Sequence, residues 1–267
     1  MPRLDKMGVA LAVVLSGLPL SGSRAQTQNA PPASSAPARD PEAMSALEKM
    51  GKYLRSLNTF QVTATGTREQ VMKDGEKVQY GGTIDLLAVR PGKMRVEVNT
   101  DRENRKFYYD GKNFTMYAPR QNLYTTVPAP ASINDLAKEL EDKYDIELPL
   151  VDLFRWGTSE SKPEEITVAT DVGPAQIDGT TTEHYAFRQK GVDWQIWIQN
   201  GEYPLPRKIV ITTTTDEARP QYVAEYTWNL APSFNDEAFA FQAPENAKKI
   251  PLAEVTPMAG VKKEGKK

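Results

Sequence analysis

From Phe60 onward the sequence breaks into short runs in which apolar and polar residues alternate, the period expected of half-buried β-strands. Phe60, Val62 and Ala64 alternate with Gln61, Thr63 and Thr65. KVQYGGTIDLLAV, RKFYYD, NFTMYA, NLYTTV, EITVAT, TTEHYAFRQ, VDWQIWIQN, RKIVITTTT and QYVAEYTWNL continue the pattern. Many of these runs are rich in β-branched and aromatic side chains, which fit a pleated surface. Asp74-Gly75, Asp110-Gly111, Asp178-Gly179 and Asn200-Gly201 punctuate them, and Asx-Gly tolerates the positive φ angles of tight hairpins. The pattern predicts an α+β chain with about ten or eleven strands in a mostly antiparallel meander.

Such a sheet must close on itself or cover one face. Two helical patterns are available as cover. Met44, Leu47, Met50, Leu54 and Leu57 recur at three- and four-residue steps, with Asp40-Pro41 as cap and first-turn pair. Ile133, Leu136, Leu140 and Tyr144 share a second helical face, opened by Ser132 and Asp135 in a capping-box arrangement. Pro149 restarts the chain, and PLVDLFRW reads as a short apolar helical turn. Gly81-Gly82 and Pro204/Pro206 are places where strands can bend or end. The architecture expected is a strongly curved, unclosed half-barrel. An N-terminal helix and a helical lid insertion, residues 132–157, lie on its concave side and leave room for an apolar cavity.

The ends of the chain read differently. Arg3 and Lys6 precede an apolar run from Met7 to Leu15, and Ser23-Arg24-Ala25 supplies a small-x-small cleavage site. Residues 1–25 are therefore expected to be a signal peptide cleaved after Ala25, which would place the mature chain in the periplasm. Residues 26–40, rich in Pro, Ala and Ser, are expected to be a disordered linker, and 253–267 a disordered basic tail. The folded domain is then 41–252. Cysteine is absent, which removes disulfides and thiol chemistry, and a formal net charge of -2 offers nothing to a nucleic-acid backbone. No stable membrane insertion is expected of the mature chain, and a monomer is.

The stretch LLAVRPGKMRVEV holds an anomaly. Alternation puts Arg90 on the same face as Ile84, Leu86 and Ala88, so a permanent charge ends an apolar stripe. From the residues alone, Arg90 either snorkels to solvent at a strand end or faces the apolar side and must find acceptors.

Arg90-Pro91, the Met94-Arg95-Val96 strand, Asp110-Gly111-Lys112 and Tyr117-Ala118-Pro119 follow one another in an order and spacing that resemble LolA/LolB-type periplasmic lipoprotein carriers. The resemblance runs upstream through LNTFQVTATGTREQVMKDGEKVQYGGTI and downstream to DEAFAFQAPENAKKI, covering most of residues 42–250. LPLVDLF in the insertion is similar to a feature of an exported family within that superfamily, domain of unknown function 2092. Several aromatic positions of the carriers are smaller here, Val96 among them. The resemblance implies that Arg90 points into the cavity and hydrogen-bonds to the lid.

The candidate ligand cavity is Ile84, Leu86, Arg90, Met94, Val96, Val98, Phe114 and Met116; the candidate lid is Leu136, Leu140, Leu150, Leu153, Phe154 and Trp156. Each of the apolar residues would serve a solid core equally well. His184 is the single histidine and reads as a solvent-facing strand residue. Glu139, Glu141, Asp142, Asp145 and Glu147 follow a helix face and lack the loop of a calcium site. No nucleophile elbow, P-loop or dinucleotide fingerprint occurs.

The reading adopted is a non-enzymatic binding or carrier protein for a lipid or lipoprotein acyl chain, with no cofactor. The alternative is an envelope regulatory module that binds a partner protein transiently through the same fold. A hydrolase is the third reading.

Overall fold

A computed structural model describes residues 38–254. The expected signal peptide, most of the expected linker and residues 255–267 of the expected tail lie outside the described residues. The elements are α1 (Pro41–Ser56), β1 (Thr59–Val71), β2 (Lys77–Val89), β3 (Lys93–Thr100), β4 (Asn104–Tyr109), β5 (Asn113–Ala118) and β6 (Leu123–Pro128). The insertion follows as α2 (Ile133–Tyr144) and α3 (Asp152–Arg155). Then come β7 (Val168–Ile177), β8 (Thr180–Gln189), β9 (Val192–Gln199), β10 (Pro206–Thr213), β11 (Gln221–Asn229) and the two-residue β12 (Lys248–Lys249).

All twelve strands form one sheet, in the order β12-β6-β5-β4-β3-β2-β1-β11-β10-β9-β8-β7. Every pairing is antiparallel except β12 with β6, and the two outermost strands do not meet, so the sheet is unclosed. The expected half-barrel with one leading helix and one helical insertion is the observed fold. Its turns are local chemistry: Asp178 and Gly179 both have positive φ, 47° and 73°, as a tight hairpin between β7 and β8 requires. The strand beyond those expected is β12, too short to leave a periodic pattern.

Helix starts follow their caps. The Asp40 carboxylate accepts from the Glu42 amide at 2.7 Å and more weakly from Ala43 at 3.4 Å. Ser132 Oγ accepts from the Asp135 amide at 3.1 Å and donates to the Asp135 carboxylate at 2.6 Å. The linker boundary needs correction, because order begins before residue 40. Ala169 donates its amide to Ala38 and accepts from the Asp40 amide, both at 2.9 Å, so these residues join the β7 edge and are not free tether.

The helices divide the inner face of the sheet. Ala43, Leu47, Met50 and Leu54 of α1 pack on Tyr185, Phe187, Trp194, Ile196 and Ile198. Ile133, Leu136, Ala137 and Leu140 of α2, with Leu148, Val151, Leu153 and Phe154, pack on Phe60, Val62, Leu86, Met94, Val96, Tyr109 and Phe114. Leu57, Ile211, Trp228 and Leu230 touch both clusters and fuse them. At the helix–helix seam a Cβ on Gly51 would lie 2.9 Å from the Gly157 nitrogen, so glycine allows α1 and α3 to approach backbone to backbone. On the outer face Phe241 sits among Tyr108, Tyr117 and Tyr124, with ring centroids 5.0 to 5.5 Å away. The closing FAF segment thus straps β4, β5 and β6.

Candidate functional site: a cavity between the sheet and the insertion

The inner face can be read as rows of residues in register across neighbouring strands. One row is Trp228, Val62, Leu86, Val96, Phe107 and Met116, all apolar. The next is Tyr226, Ala64, Ile84, Val98 and Arg105. The third is Ala224, Gly66, Gly82 and Thr100, which carries almost no side chain. Where bulk stops, nothing fills the space below the helices, and a cavity of about 1150 Å³ opens.

Ala64, Ile84, Val98, Phe107, Ile209 and Ile211 form its apolar wall, and Tyr222 and Tyr226 close the β11 side. Leu148, Leu150, Val151, Asp152, Leu153 and Trp156 of the insertion face them. Arg68, Arg102, Glu103 and Arg105 line it as well; Arg105 is paired with Glu103 at 3.0 Å, and Arg102 lies over Tyr80.

Arg90 ends the apolar stripe of β2 and, unlike Ile84 on the same stripe, is not among the residues that line this cavity, so its place in the candidate cavity is corrected. Its Nη2 donates to the carbonyls of Leu153 at 3.3 Å and Leu54 at 3.4 Å. Its Cζ lies 4.7 Å from the Phe154 ring centroid and 6.0 Å from that of Phe60. These carbonyls belong to the last turns of α3 and α1, whose C-terminal acceptors have no partner within a helix. Arg55 donates to the next such carbonyl, that of Trp156, at 3.3 Å. Two arginines therefore hold the end of α3. Burial, and then the charge of Arg55, lower the Arg90 pKa, and its Nε is buried without a partner.

The structure sorts the sequence-derived candidates into two groups. Ile84, Val98, Leu150, Leu153 and Trp156 line the cavity. Leu86, Met94, Val96 and Phe114 are fully buried against Leu136, Leu140 and Phe154, so these seven side chains fill space instead of bounding it. Their assignment to an open cavity or a detachable lid is corrected accordingly. α2 lies directly on them, and close packing leaves no void between two layers of large side chains. Met116 packs against the same cluster and borders a separate small hollow of about 220 Å³.

Tyr222, Tyr226, Ile209, Ile211, Phe107, Gly66 and Asp152 are cavity residues that the sequence reading did not select. The alternation in QYVAEYTWNL does place Tyr222 and Tyr226 on one face. What was missing is that β11 pairs with β1, a contact between opposite ends of the domain.

Residues 43–253 match the family described as predicted periplasmic protein, domain of unknown function 2092 (DUF2092). The chain belongs to this family. No curated protein matches the sequence. Among solved structures, the DUF2092 chain is similar to lipoprotein LppX of Mycobacterium tuberculosis at 12% identity and a TM-score of 0.44, over 73% of this chain and 100% of that one. It is also similar to the LolA superfamily protein NE2245 of Nitrosomonas europaea at 13% identity, 74% and 97% coverage and a TM-score of 0.37. LprF of Mycobacterium bovis matches at 13% identity, 79% and 100% coverage and a TM-score of 0.36.

His184 and three of the five acidic residues singled out in this DUF2092 chain have structural partners. His184 is half-buried on the outer face of β8, the face opposite Tyr185 and Phe187. It stacks on Trp197 at 3.9 Å between ring centroids, and its Nε2 is 3.0 Å from Gln195 Oε1. Desolvation, the largest cause, lowers its pKa and favours the neutral ring. Asp142, Glu139 and Glu141 pair with Lys138, Lys143 and Arg155 at 2.8, 2.5 and 2.6 Å. Among the described residues no group of three His, Asp or Glu converges to hold a metal.

Proposed function

We propose that this DUF2092 protein is a non-enzymatic periplasmic carrier that holds the acyl chain of a lipid or lipoprotein in the cavity between sheet and insertion. The observation that carries this reading is the cavity itself: about 1150 Å³, with an apolar wall, found where a continuous row of apolar inner side chains gives way to Ala224, Gly66 and Gly82. That volume is slightly above the usual ~300–1,000 Å³ of small-molecule sites. Each methylene buried there contributes about 0.8 kcal/mol before the ordering of the chain is subtracted. A moderately long chain thus gains enough to be held, and a partner in the envelope can still take it over. The family's description and the leader-like residues 1–25 support export to the periplasm after cleavage at Ala25.

In this reading Arg90 is the latch of α3. A ligand pressing on Leu150 and Leu153 displaces α3 against the bonds from Arg90, making the insertion's last turn a ligand-biased element. Arg90→Leu is expected to leave global stability nearly unchanged, because leucine suits a site between Phe60 and Phe154 and needs no acceptor. Two charge-assisted bonds of long geometry should together contribute about 1–2 kcal/mol to local order. Amides of residues 153–156 should then exchange roughly tenfold faster with deuterium. Unchanged protection at those amides would remove the latch.

The carrier reading is tested by native mass spectrometry of residues 26–267 purified from a bacterial envelope without detergent, beside Ile84→Trp. Half-buried Ile84 projects into the cavity, so indole there fills space without disturbing the packed rows. A lipid mass retained by the natural chain and absent from the variant is the expected result. A ligand-free natural chain that also excludes added fluorescent fatty acids would end this reading.

A further inference from the structure

The inner-face rows continue one step beyond the bare one. Past Ala224, Gly66 and Gly82 the next inner-facing residues in register are Tyr222, Arg68 and Tyr80, with Arg68 the cross-strand partner of both tyrosines. Arg102, in the turn between β3 and β4, reaches over the same row. Its Cζ lies 4.7 Å from the Tyr80 ring centroid, and its Nη1 donates to Gln70 Oε1 at 3.0 Å. Arg120, from the turn between β5 and β6, donates to the Arg102 carbonyl. Arg68, Gln70, Tyr80, Arg102 and Tyr222 all line the cavity, and Arg68, Gln70 and Arg102 are exposed, so this row forms its mouth.

The charges at that mouth are unevenly matched. Among the described residues neither Arg68 nor Arg102 forms an ion pair. The carboxylates nearby are engaged elsewhere. Glu69 accepts from Lys77 at 3.1 Å and from the Gln221 amide at 2.9 Å, and Glu103 pairs with Arg105 at 3.0 Å. Asp101 accepts from the Gly81 amide at 2.6 Å, and Asp216 from the Ala218 amide at 2.9 Å. Glu147 and Asp152 also border the cavity, but from the insertion on the facing wall. Two guanidinium groups gathered on one tyrosine repel each other, and a bound anion relieves that repulsion. A guanidinium matches the oxygens of a carboxylate or phosphate, and the flanking phenols can donate to the same oxygens.

The rows also have a spacing. Four residues of strand separate Ala64 from Arg68 and Ile84 from Tyr80, about 13 Å at the usual strand rise. Inward from the mouth, the concave face therefore runs from cationic and aromatic, through bare backbone, to apolar. We propose that the mouth is an oxyanion site, which selects amphiphiles whose head is a carboxylate or a phosphate. Arg68 and Arg102 hold the head at the water boundary, and the apolar chain passes the glycines to reach Ala64, Ile84 and Val98. The assignment rests on the carrier reading and names its ligand class.

The test is calorimetric titration of residues 26–267 with decanoate, decyl phosphate, decanol and decylamine at neutral pH and low salt. At least one of the two anions is expected to bind about tenfold tighter than the alcohol, with the amine no tighter than the alcohol. The anion that gains identifies the head, a fatty acid's carboxylate or a phospholipid's phosphate. Raised salt should shrink the gain, because both arginines are exposed. Arg68→Gln with Arg102→Gln should reduce the anions to the affinity of the alcohol and leave the alcohol unchanged. Lys138→Gln removes a charge from the exposed face of α2 and should change nothing. Equal binding of anions and alcohol overturns the oxyanion site and leaves the carrier standing. So does a gain that survives the double substitution or is lost equally in Lys138→Gln. Failure of all four to bind overturns both.

Thermal melting separates a ligand role from a structural one. Neither side chain is buried or ion-paired, so the double variant should melt close to the natural chain. If it melts far lower, the stack of Arg102 on Tyr80 supports the fold, and Arg68→Gln, which leaves that stack intact, decides. This single variant should bind the preferred anion about threefold more weakly. Undiminished binding would overturn the proposal.

Discussion

A chain lacking residues 132–157 is expected to be unfolded, not an opened half-barrel. The segment supplies Ile133, Leu136, Leu140, Leu148, Val151, Leu153 and Phe154 to the larger core, each no more than 4% exposed. Burial of such side chains is worth roughly 1.5–3 kcal/mol apiece, so together they contribute on the order of 10–20 kcal/mol. Whole domains of this kind are stable by only about 5–15 kcal/mol. The deletion would also expose Phe60, Val62, Leu86, Met94, Val96 and Phe114, a contiguous apolar sheet face that invites aggregation. Circular dichroism, with proton NMR dispersion on any soluble fraction, checks this. A dispersed spectrum and a cooperative melt would show that the insertion is a removable cover after all. Motion that admits a ligand must therefore be confined to a smaller part, and residues 147–153 are the stretch that borders the cavity.

Gly66→Val is expected to abolish the soluble fold as well, for a reason on the opposite wall. A Cβ at Gly66 would fall 2.0 Å from the Val223 carbonyl oxygen and 2.9 Å from the Ala224 Cα. Those are backbone atoms of the neighbouring strand, and β1 is held in register with β11 on one side and β2 on the other. Neither strand can retreat without breaking a ladder. The usual overpacking penalty of about 1–3 kcal/mol is thus a lower bound. Gly75→Ala provides the contrast: it has a positive φ of 86° but open space around it, so strain of about 1 kcal/mol is all that is expected. Expression in the soluble fraction and denaturant midpoints distinguish the two. A Gly66→Val protein as stable as Gly75→Ala would mean that the sheet can relax at this point, and glycine would no longer explain the cavity.

Much of the architecture was legible in the residues. Eleven strands carried period-two alternation, four Asx-Gly pairs marked turns, and Asp40 and Ser132 opened the two main helices where they stand. These features are local. A strand's alternation, a cap's hydrogen bond and a hairpin's φ angles are settled within a few residues, so they survive in a linear reading. The anomaly of Arg90 was legible too, since a charge that ends an apolar stripe announces a need for acceptors. Which carbonyls answer it was not, because Leu54 and Leu153 come from helices on either side of β2 in the chain.

The candidate site was legible only in part. Leu86 and Ile84 are both apolar, inner-facing and two residues apart on one strand, yet the first is sealed in the core and the second faces the cavity. Sequence periodicity gives both the same face and cannot say how far along the strand α2 extends. Asp152 and Tyr226 are likewise distant in the chain, and both line the cavity. The sequence by itself determined the strands, the turns, the caps and the apolar faces, because short-range sterics and hydrogen bonding select them. Only the tertiary structure decided where the core ends and the cavity begins, because that boundary depends on which distant side chains arrive to fill each row, and at Gly66 and Gly82 none does.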